Sequence, residues 1–251
     1  MARTRLDILM VERGLVESRQ RAQALILAGR VRVDQRPAPK AGTPLKPEVS
    51  IEVLGDDHPW VGRGGVKLDG ALSAFDVDPT GWVAMDVGAS TGGFTDVLLS
   101  RGAARVYAID VGHNQLHWRL RSDPRVISME GVNARYLDQV ELPERCDGAV
   151  IDVSFISLAK ILPALPAHLK PGAAVVALVK PQFEAGPEEV GKGGIVRDEA
   201  VRQRVLDDAS TAAQALGFTE RGRAESGLPG AQGNVEFFLH LIAPGADGGA
   251  P

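Results

Sequence analysis

From residue 82 onward, short apolar runs alternate with segments whose apolar positions recur at helical spacing. Val83–Val87, Arg105–Asp110, Val126–Met129, Ala149–Val153, Ala173–Val179 and Val235–Ile242 read as strands. Segments near 92–101, 114–121, 157–169 and 198–216 read as helices, and Val66–Phe75 predicts one more before the first strand. Near-continuous apolar strands alternating with helices predict an α/β fold: a mostly parallel, Rossmann-like sheet covered on both faces. The first 55 residues follow a different rhythm. Residues 5–14 and 18–29 read as short helices, with Leu6, Ile8, Leu9 and Leu15 marking the first apolar set and Ala22, Leu25 and Ile26 the second. Ser18 suits an N-cap and Gly29 a C-terminal stop. Val31–Val33 and Val49–Val53 then alternate like strands around a turn at Asp34-Gln35. The expected organisation is a small α+β domain at 1–55, a polar linker at 56–64, the α/β domain at 65–244 and a disordered tail at 245–251.

Composition narrows the class. A hydrophobic content of 44% and a charged content of 24% fit a soluble globular protein. No run approaches the roughly 20 apolar residues that span a bilayer, and Met1–Asp7 lacks the apolar core of a signal peptide. Cys146 is the single cysteine, which excludes an intrachain disulfide and a cysteine-based zinc site. These features lead to an expected cytoplasmic location without a membrane partner. The net charge of −4 conceals an asymmetry. Residues 1–67 carry 12 Lys+Arg against 8 Asp+Glu, a net of +4, and the remainder carries 16 against 24, a net of −8. A basic head on an acidic body points to an anionic partner gripped at the N-terminus.

Candidate chemistry centres on Asp86-Val-Gly-Ala-Ser-Thr-Gly-Gly-Phe94, which joins the first strand of the α/β region to a helix. Gly88 and Gly92 let the backbone turn and approach a ligand. The acid-x-Gly-x-x-x-Gly spacing is the pattern of S-adenosylmethionine (SAM) methyltransferases, whereas dinucleotide enzymes prefer G-x-G-x-x-G. Asp110 ends the next strand, where a carboxylate can hold a ribose diol. Three more charged groups sit at strand ends: Asp152, Lys180 and Glu236. Lys67 precedes them, next to the first helix. Each alone reads equally as a solvated strand end or a structural ion pair. Glu184–Gly194 is glycine-rich and reads as a lid or as a long surface loop.

In order and local context, Lys67, Asp152, Lys180 and Glu236 resemble the Lys-Asp-Lys-Glu set of the FtsJ/RrmJ-like ribose 2′-O-methyltransferases. The strings Trp60–Lys67, Asp86–Phe94, Asp152–Leu158, Lys180–Glu184 and Gly193–Asp198 look like the TlyA branch of that family, ribosomal RNA (rRNA) cytidine 2′-O-methyltransferases sometimes labelled hemolysins. The N-terminal domain resembles their S4-type RNA-binding domain at Arg5-Leu-Asp7, Ser18-Arg-Gln20 and Gly29–Val33. The resemblance implies that Lys180 is the base for the ribose hydroxyl, with Lys67 nearby, while Asp152 and Glu236 orient the lysines and the ribose. It implies SAM held by Asp86, Gly88, Ser90, Gly92, Phe94, Asp110, Glu130 and Asp152, with no metal required. The implied partner is rRNA or a ribosomal subunit, with no obligate protein partner. Arg3, Arg5, Arg19, Arg30, Arg32 and Lys40 are the phosphate candidates, Arg19 and Lys40 foremost. Aromatic residues are nearly absent from positions 1–58, so backbone and shape recognition is expected there rather than stacking. Three rivals remain at this stage. They are a base methyltransferase, a non-catalytic RNA-binding assembly factor with a dead site, and a membrane-active hemolysin.

Overall fold

Parallel strands leave their carboxyl ends on one rim of a sheet, and that geometry places the site of this protein. A computed structural model describes residues 3–16, 18–27, 29–54, 58–230 and 233–245. The chain divides into two units, Met1–Pro59 and Trp60–Pro251. In the second, helix α1 (Arg63–Ala74) precedes β1 (Val83–Val87), α2 (Gly93–Ser100), β2 (Arg105–Asp110), α3 (Trp118–Arg121) and β3 (Val126–Glu130). Then come β4 (Cys146–Ile151), β5 (Leu169–Val179), α4 (Pro181–Glu184), α5 (Glu199–Ala215), β6 (Thr219–Glu225) and β7 (Phe237–Ile242). Among the described residues these seven strands form one sheet in the order β6-β7-β5-β4-β1-β2-β3. It is parallel from β5 to β3, and β7 runs antiparallel to both β5 and β6.

The alternation of side chains across the strands feeds two cores. Met85, Tyr107, Ile151, Val175 and Leu239 pack on one face. Leu68, Leu98, Val106, Val176 and Phe238 pack on the other. Burying each such side chain contributes roughly 1.5–3 kcal/mol, so a sheet covered on both faces accounts for the apolar strand sequences. Val87 pairs with both Ile109 and Ile151, and Ile151 pairs with Ala177. The register therefore brings Gly88, Asp110, Asp152 and Lys180 to the same rim.

Several expectations change. The region 157–169 is not a helix but two 3-10 turns, Leu158–Lys160 and Leu162–Ala164, because Pro163 and Pro166 remove backbone donors. The region 114–121 contains only the short α3, capped by the His117 side chain. Strand β6 was not anticipated. It is an edge strand of sequence Thr-Glu-Arg-Gly-Arg-Ala-Glu, whose polar composition hides its pairing. Helix α1 begins at Arg63, inside the segment read as linker; residues 55–57 and most of the tail, 246–251, lie outside the described residues.

The first unit packs helices Leu6–Glu12 and Arg19–Leu27 on small antiparallel sheets. Arg36–Pro37, Val31–Val33 and Ile51–Val53 form one, and Thr4–Arg5 pairs with Pro44–Leu45 in the other. Leu6, Met10, Ala22, Val31 and Val33 are its core. The Asp34-Gln35 turn has φ of 48° and 65°, the two positive values that a tight two-residue hairpin requires. Ser18 caps the second helix, accepting from the Arg21 amide at 3.2 Å. Leu15 lies beyond its helix and is 38% exposed.

Candidate active site

The glycine turn after β1 is held in a conformation that L side chains avoid. Gly88 has φ +88° and Gly92 φ +95°. A Cβ on Gly88 would lie 2.4 Å from the backbone oxygen of Asp152. On Gly92 it would meet Leu120 at 2.2 Å. Gly88 is thus needed where β1 and β4 nearly touch, and Gly92 where α2 starts against α3. Asp110 is pinned across the turn: its Oδ2 accepts from the Ser90 amide and its Oδ1 from the Gly112 amide, both at 2.7 Å. A carboxylate fixed by two backbone donors keeps free lone pairs for a diol.

Two cavities open on the rim and share Gly88, Ser90, Asp152 and Ser154. The larger, 540 Å³, has Asp110 on one wall and apolar walls from Ile109, Val111, Val132 and Ile156. The smaller, 220 Å³, is walled by Gly64, Thr91, Phe94 and Lys180. An apolar slot with a pinned carboxylate fits a nucleoside, and a small chamber with an amine beside it fits a second reactant.

The four charged residues form two ion pairs. Lys180 Nζ lies 2.5 Å from Asp152 Oδ1 and donates to Ser154 Oγ at 3.0 Å. Lys67 Nζ donates to Glu236 Oε2 at 2.6 Å. Both lysine side chains are only 11% exposed. Gln182, two residues beyond Lys180, donates to Glu236 Oε1 at 3.0 Å and ties the pairs through α4. Gly64, three residues before Lys67, places its Cα hydrogen toward Phe94 and Asp152. Desolvated charges this close persist only when each has a partner, so the four residues form one interdependent set.

Asp86 sits beneath the turn rather than on a cavity wall. It is fully buried, accepts from Thr95 Oγ at 2.6 Å, and has no partner for Oδ1 among the described residues. Burial pushes its carboxyl up to about 7. A folded-state value raised above the unfolded one favours the protonated form. The associated stability is complete below about pH 4 and is lost as pH rises to about 7. Asp86→Asn should remove this decline. Urea unfolding at pH 5 and pH 8 is expected to show a loss of about 2–3 kcal/mol in the parent and a smaller loss in the variant.

Gly92 likewise lines neither cavity and serves packing. Glu130 ends β3 and pairs with Arg121 at 2.5 Å; it borders a minor recess with Asp110 and is absent from the larger cavity. Ser154, Phe155 and Gln182 are the site residues that sequence reasoning missed. Phe155 is the most telling. It lies on the rim of the larger cavity, is 89% exposed, and holds φ +65°, a strained value for a bulky residue. Phe183 supports it, with ring centroids 4.9 Å apart. Glycine-turn arithmetic gave no signal for it, because an exposed aromatic looks like any core aromatic in sequence.

In the first unit, the buried Asp7 gathers three donors. Arg5 binds it through Nε and Nη2 at 3.0 and 2.9 Å, Gln23 at 2.8 Å and Arg19 at 3.3 Å. The Arg5 guanidinium holds the Asp7 carboxyl well below the usual carboxylate range. Arg5 and Arg19 are therefore oriented by a carboxylate while remaining exposed. Arg3, Arg32 and Lys40 are exposed, and Arg30 is half-buried.

Residues 60–243 match the FtsJ-like methyltransferase family, and residues 4–51 match the S4 domain. The "16S/23S rRNA (cytidine-2'-O)-methyltransferase TlyA" of Mycobacterium tuberculosis is 50% identical over 95% of this chain and 90% of its own length. The chain belongs to the FtsJ-like methyltransferases of the TlyA type. Hemolysin A of Brachyspira hyodysenteriae is 41% identical, covering 95% of this chain and 99% of its own. A solved chain from Streptococcus thermophilus, 43% identical, superposes with a TM-score of 0.76 and covers 99% of this chain and 92% of its own. The seven-stranded sheet with an antiparallel β7 is thus the methyltransferase sheet of this family, preceded by an S4 domain. Among the described residues no helix is long and apolar enough to cross a membrane.

Proposed function

We propose that this TlyA-type chain transfers the methyl group of SAM to a ribose 2′-hydroxyl of rRNA, at cytidine, in the cytoplasm where ribosomes are made. The observation that carries this reading is the Lys180–Asp152 pair on the wall of the smaller cavity, next to a larger one that could take a nucleoside, with Lys67–Glu236 joined to it through Gln182 although neither Lys67 nor Glu236 lines a cavity. The residues fit SAM: the Gly88 turn is a cradle that a Cβ would fill, and Asp110 is pinned toward the larger cavity. Gly88, Ser90 and Asp110 would hold it, with Asp152 at the junction of the two chambers and Phe94 on the wall of the smaller one; bound there, it supplies an electrophilic methyl group. Alignment and a base are what remain for the protein to provide.

Lys180 receives the hydroxyl proton at Nζ, for which its amine must be neutral. Asp152 and Ser154 hold that amine on the wall of the smaller chamber, and Glu236, which also accepts from Gln182, holds Lys67. The cytidine preference follows from the name of the Mycobacterium tuberculosis relative. Incubation of the full chain with tritiated SAM and deproteinised rRNA, followed by ribose-methylation mapping, tests the reading. No incorporation into rRNA or into ribosomal subunits would sink it.

Phe155 gives the acceptor base a platform. A strained, exposed ring at the mouth of the site costs stability in the free protein, and a stacked nucleobase recovers that cost. Stacking is worth about 1–3 kcal/mol per base, so Phe155→Ala should lower kcat/KM for rRNA about 5- to 150-fold. SAM affinity measured by calorimetry is expected to stay within about twofold. An equal loss of SAM affinity would place the ring in the cofactor pocket instead.

A further inference from the structure

The first unit carries a groove with an apolar wall that phosphate contacts alone would not explain. Its volume is 640 Å³, and Ile26, Leu27, Ala38 and Pro39 supply its apolar wall. Arg5 and Lys40 form its rim. Leu27, at the end of helix Arg19–Leu27, is 91% exposed, the most exposed of the large apolar residues described. An apolar side chain displayed in this way beside cations favours a ligand with an apolar face and a negative charge. Asp7 is wholly buried and engaged by Arg5, Arg19 and Gln23, so it presents no carboxylate to the groove. Arg5 is fixed by that contact and lies against the backbone at Gly42, 3.4 Å from where a Cβ would stand. Lys40 makes no side-chain bond among the described residues and is free to reach outward.

We propose that this groove receives an unpaired nucleobase of the target RNA, an unstacked loop or bulge nucleotide. Leu27 and Pro39 cover its face, and Arg5 and Lys40 take its flanking phosphates. The inference rests on the rRNA reading and adds to it. Recognition by the S4 unit is then not purely electrostatic: an aliphatic wall performs the task that the scarcity of aromatics in this unit argued against. A nucleobase has the required form, an apolar face joined to an anionic backbone. A fully paired helix, with its bases stacked inside, has no group to insert.

Equilibrium binding of the full chain to deproteinised 16S and 23S rRNA, across a salt series, tests this. Leu27→Ser, at an exposed position that leaves the core intact, should weaken binding about tenfold with the salt slope unchanged. Lys40→Ala should lower the slope by about one. Leu27→Met should restore affinity. On a perfectly paired RNA duplex, Leu27→Ser and the parent should bind alike. Equal binding of Leu27→Ser and parent to rRNA overturns the proposal, as does the same loss on the duplex. A loss confined to intact subunits, absent with naked rRNA, assigns the groove to a ribosomal protein and also overturns it. Failure of the parent to bind rRNA at all would instead strike the proposed function itself.

Discussion

Lys180→Ala is expected to lower the single-turnover rate of methyl transfer about 10²- to 10⁴-fold, the usual contribution of a positioned base. SAM affinity should change by no more than about threefold. Lys180 follows the last residue of β5 and is N-terminal to a four-residue helix whose first position is Pro181. Its amine is held by Asp152 and Ser154 on the wall of the smaller chamber. Removing it should leave Asp110, Ser90 and the apolar cofactor walls in place, so binding and chemistry separate. Asp152 loses its counter-ion in the variant; its Oδ1 is buried, while the side chain as a whole is 24% exposed. Lys180→Arg sharpens the test. Arginine keeps the charge and can pair with Asp152, but it does not give up its proton in a protein. If Lys180 is the base, arginine is nearly as inactive as alanine. If the lysine only positions Asp152, arginine recovers most of the rate. Single-turnover transfer from tritiated SAM to rRNA, with calorimetry for SAM, reads both. Near-normal transfer by Lys180→Ala would remove the residue from the role of base.

The parts of the fold that were legible in sequence are those in which burial dictates composition. Strands β1 and β2 fall at the expected bounds, Val83–Val87 and Arg105–Asp110, because central parallel strands must be apolar on both faces and end in the polar rim. Strand β6 was invisible for the converse reason. It lies at the sheet edge with exposed charges at alternate positions, Arg221, Arg223 and Glu225, and a half-buried Glu220 between them and Thr219, so no apolar pattern marks it. The prolines at 163 and 166 were readable as helix breakers and still lost to the apolar periodicity around them.

The site shows the same division. Asp152, Lys180 and Glu236 could be singled out because charges at buried strand ends are unusual, whereas Lys67, inside α1, was marked only by the family resemblance. Which charge pairs with which could not be read, since Lys67 and Glu236 meet across 169 positions of chain. Asp86 illustrates a limit of motif reading. The motif places it in the cofactor pocket, whereas its full burial and its bond to Thr95 put it under the turn as a support. Phe155 needed backbone angles, which sequence does not carry.

Gly88→Ala should be the most damaging single-methyl change in the site. Alanine at φ +88° incurs the left-handed penalty, about 1–2 kcal/mol. Its Cβ would also lie 2.4 Å from the oxygen and 2.9 Å from the carbon of the Asp152 carbonyl. Those neighbours are backbone, so no rotamer change relieves the contact. Nor can the strands separate freely, because the Asp152 amide donates to the Val87 oxygen at 2.9 Å. Two relaxations remain. If β4 moves away, Asp152 leaves Lys180 and the base loses its holder. If the turn swings outward, the Ser90 amide leaves Asp110 and the diol-binding carboxylate loses its anchor. Each path damages a different function, but both open the junction that the two cavities share. The expected result is a stability loss of about 2–4 kcal/mol and SAM binding weakened by at least about 100-fold. Gly70→Ala supplies the contrast. Gly70 lies in α1 with nothing within 4 Å of its added Cβ, so the same methyl should be neutral or stabilising by about 0.5–1 kcal/mol. Urea unfolding and SAM calorimetry on both variants check the pair. If Gly88→Ala bound SAM like the parent, the close approach of β1 and β4 would have no part in forming the pocket.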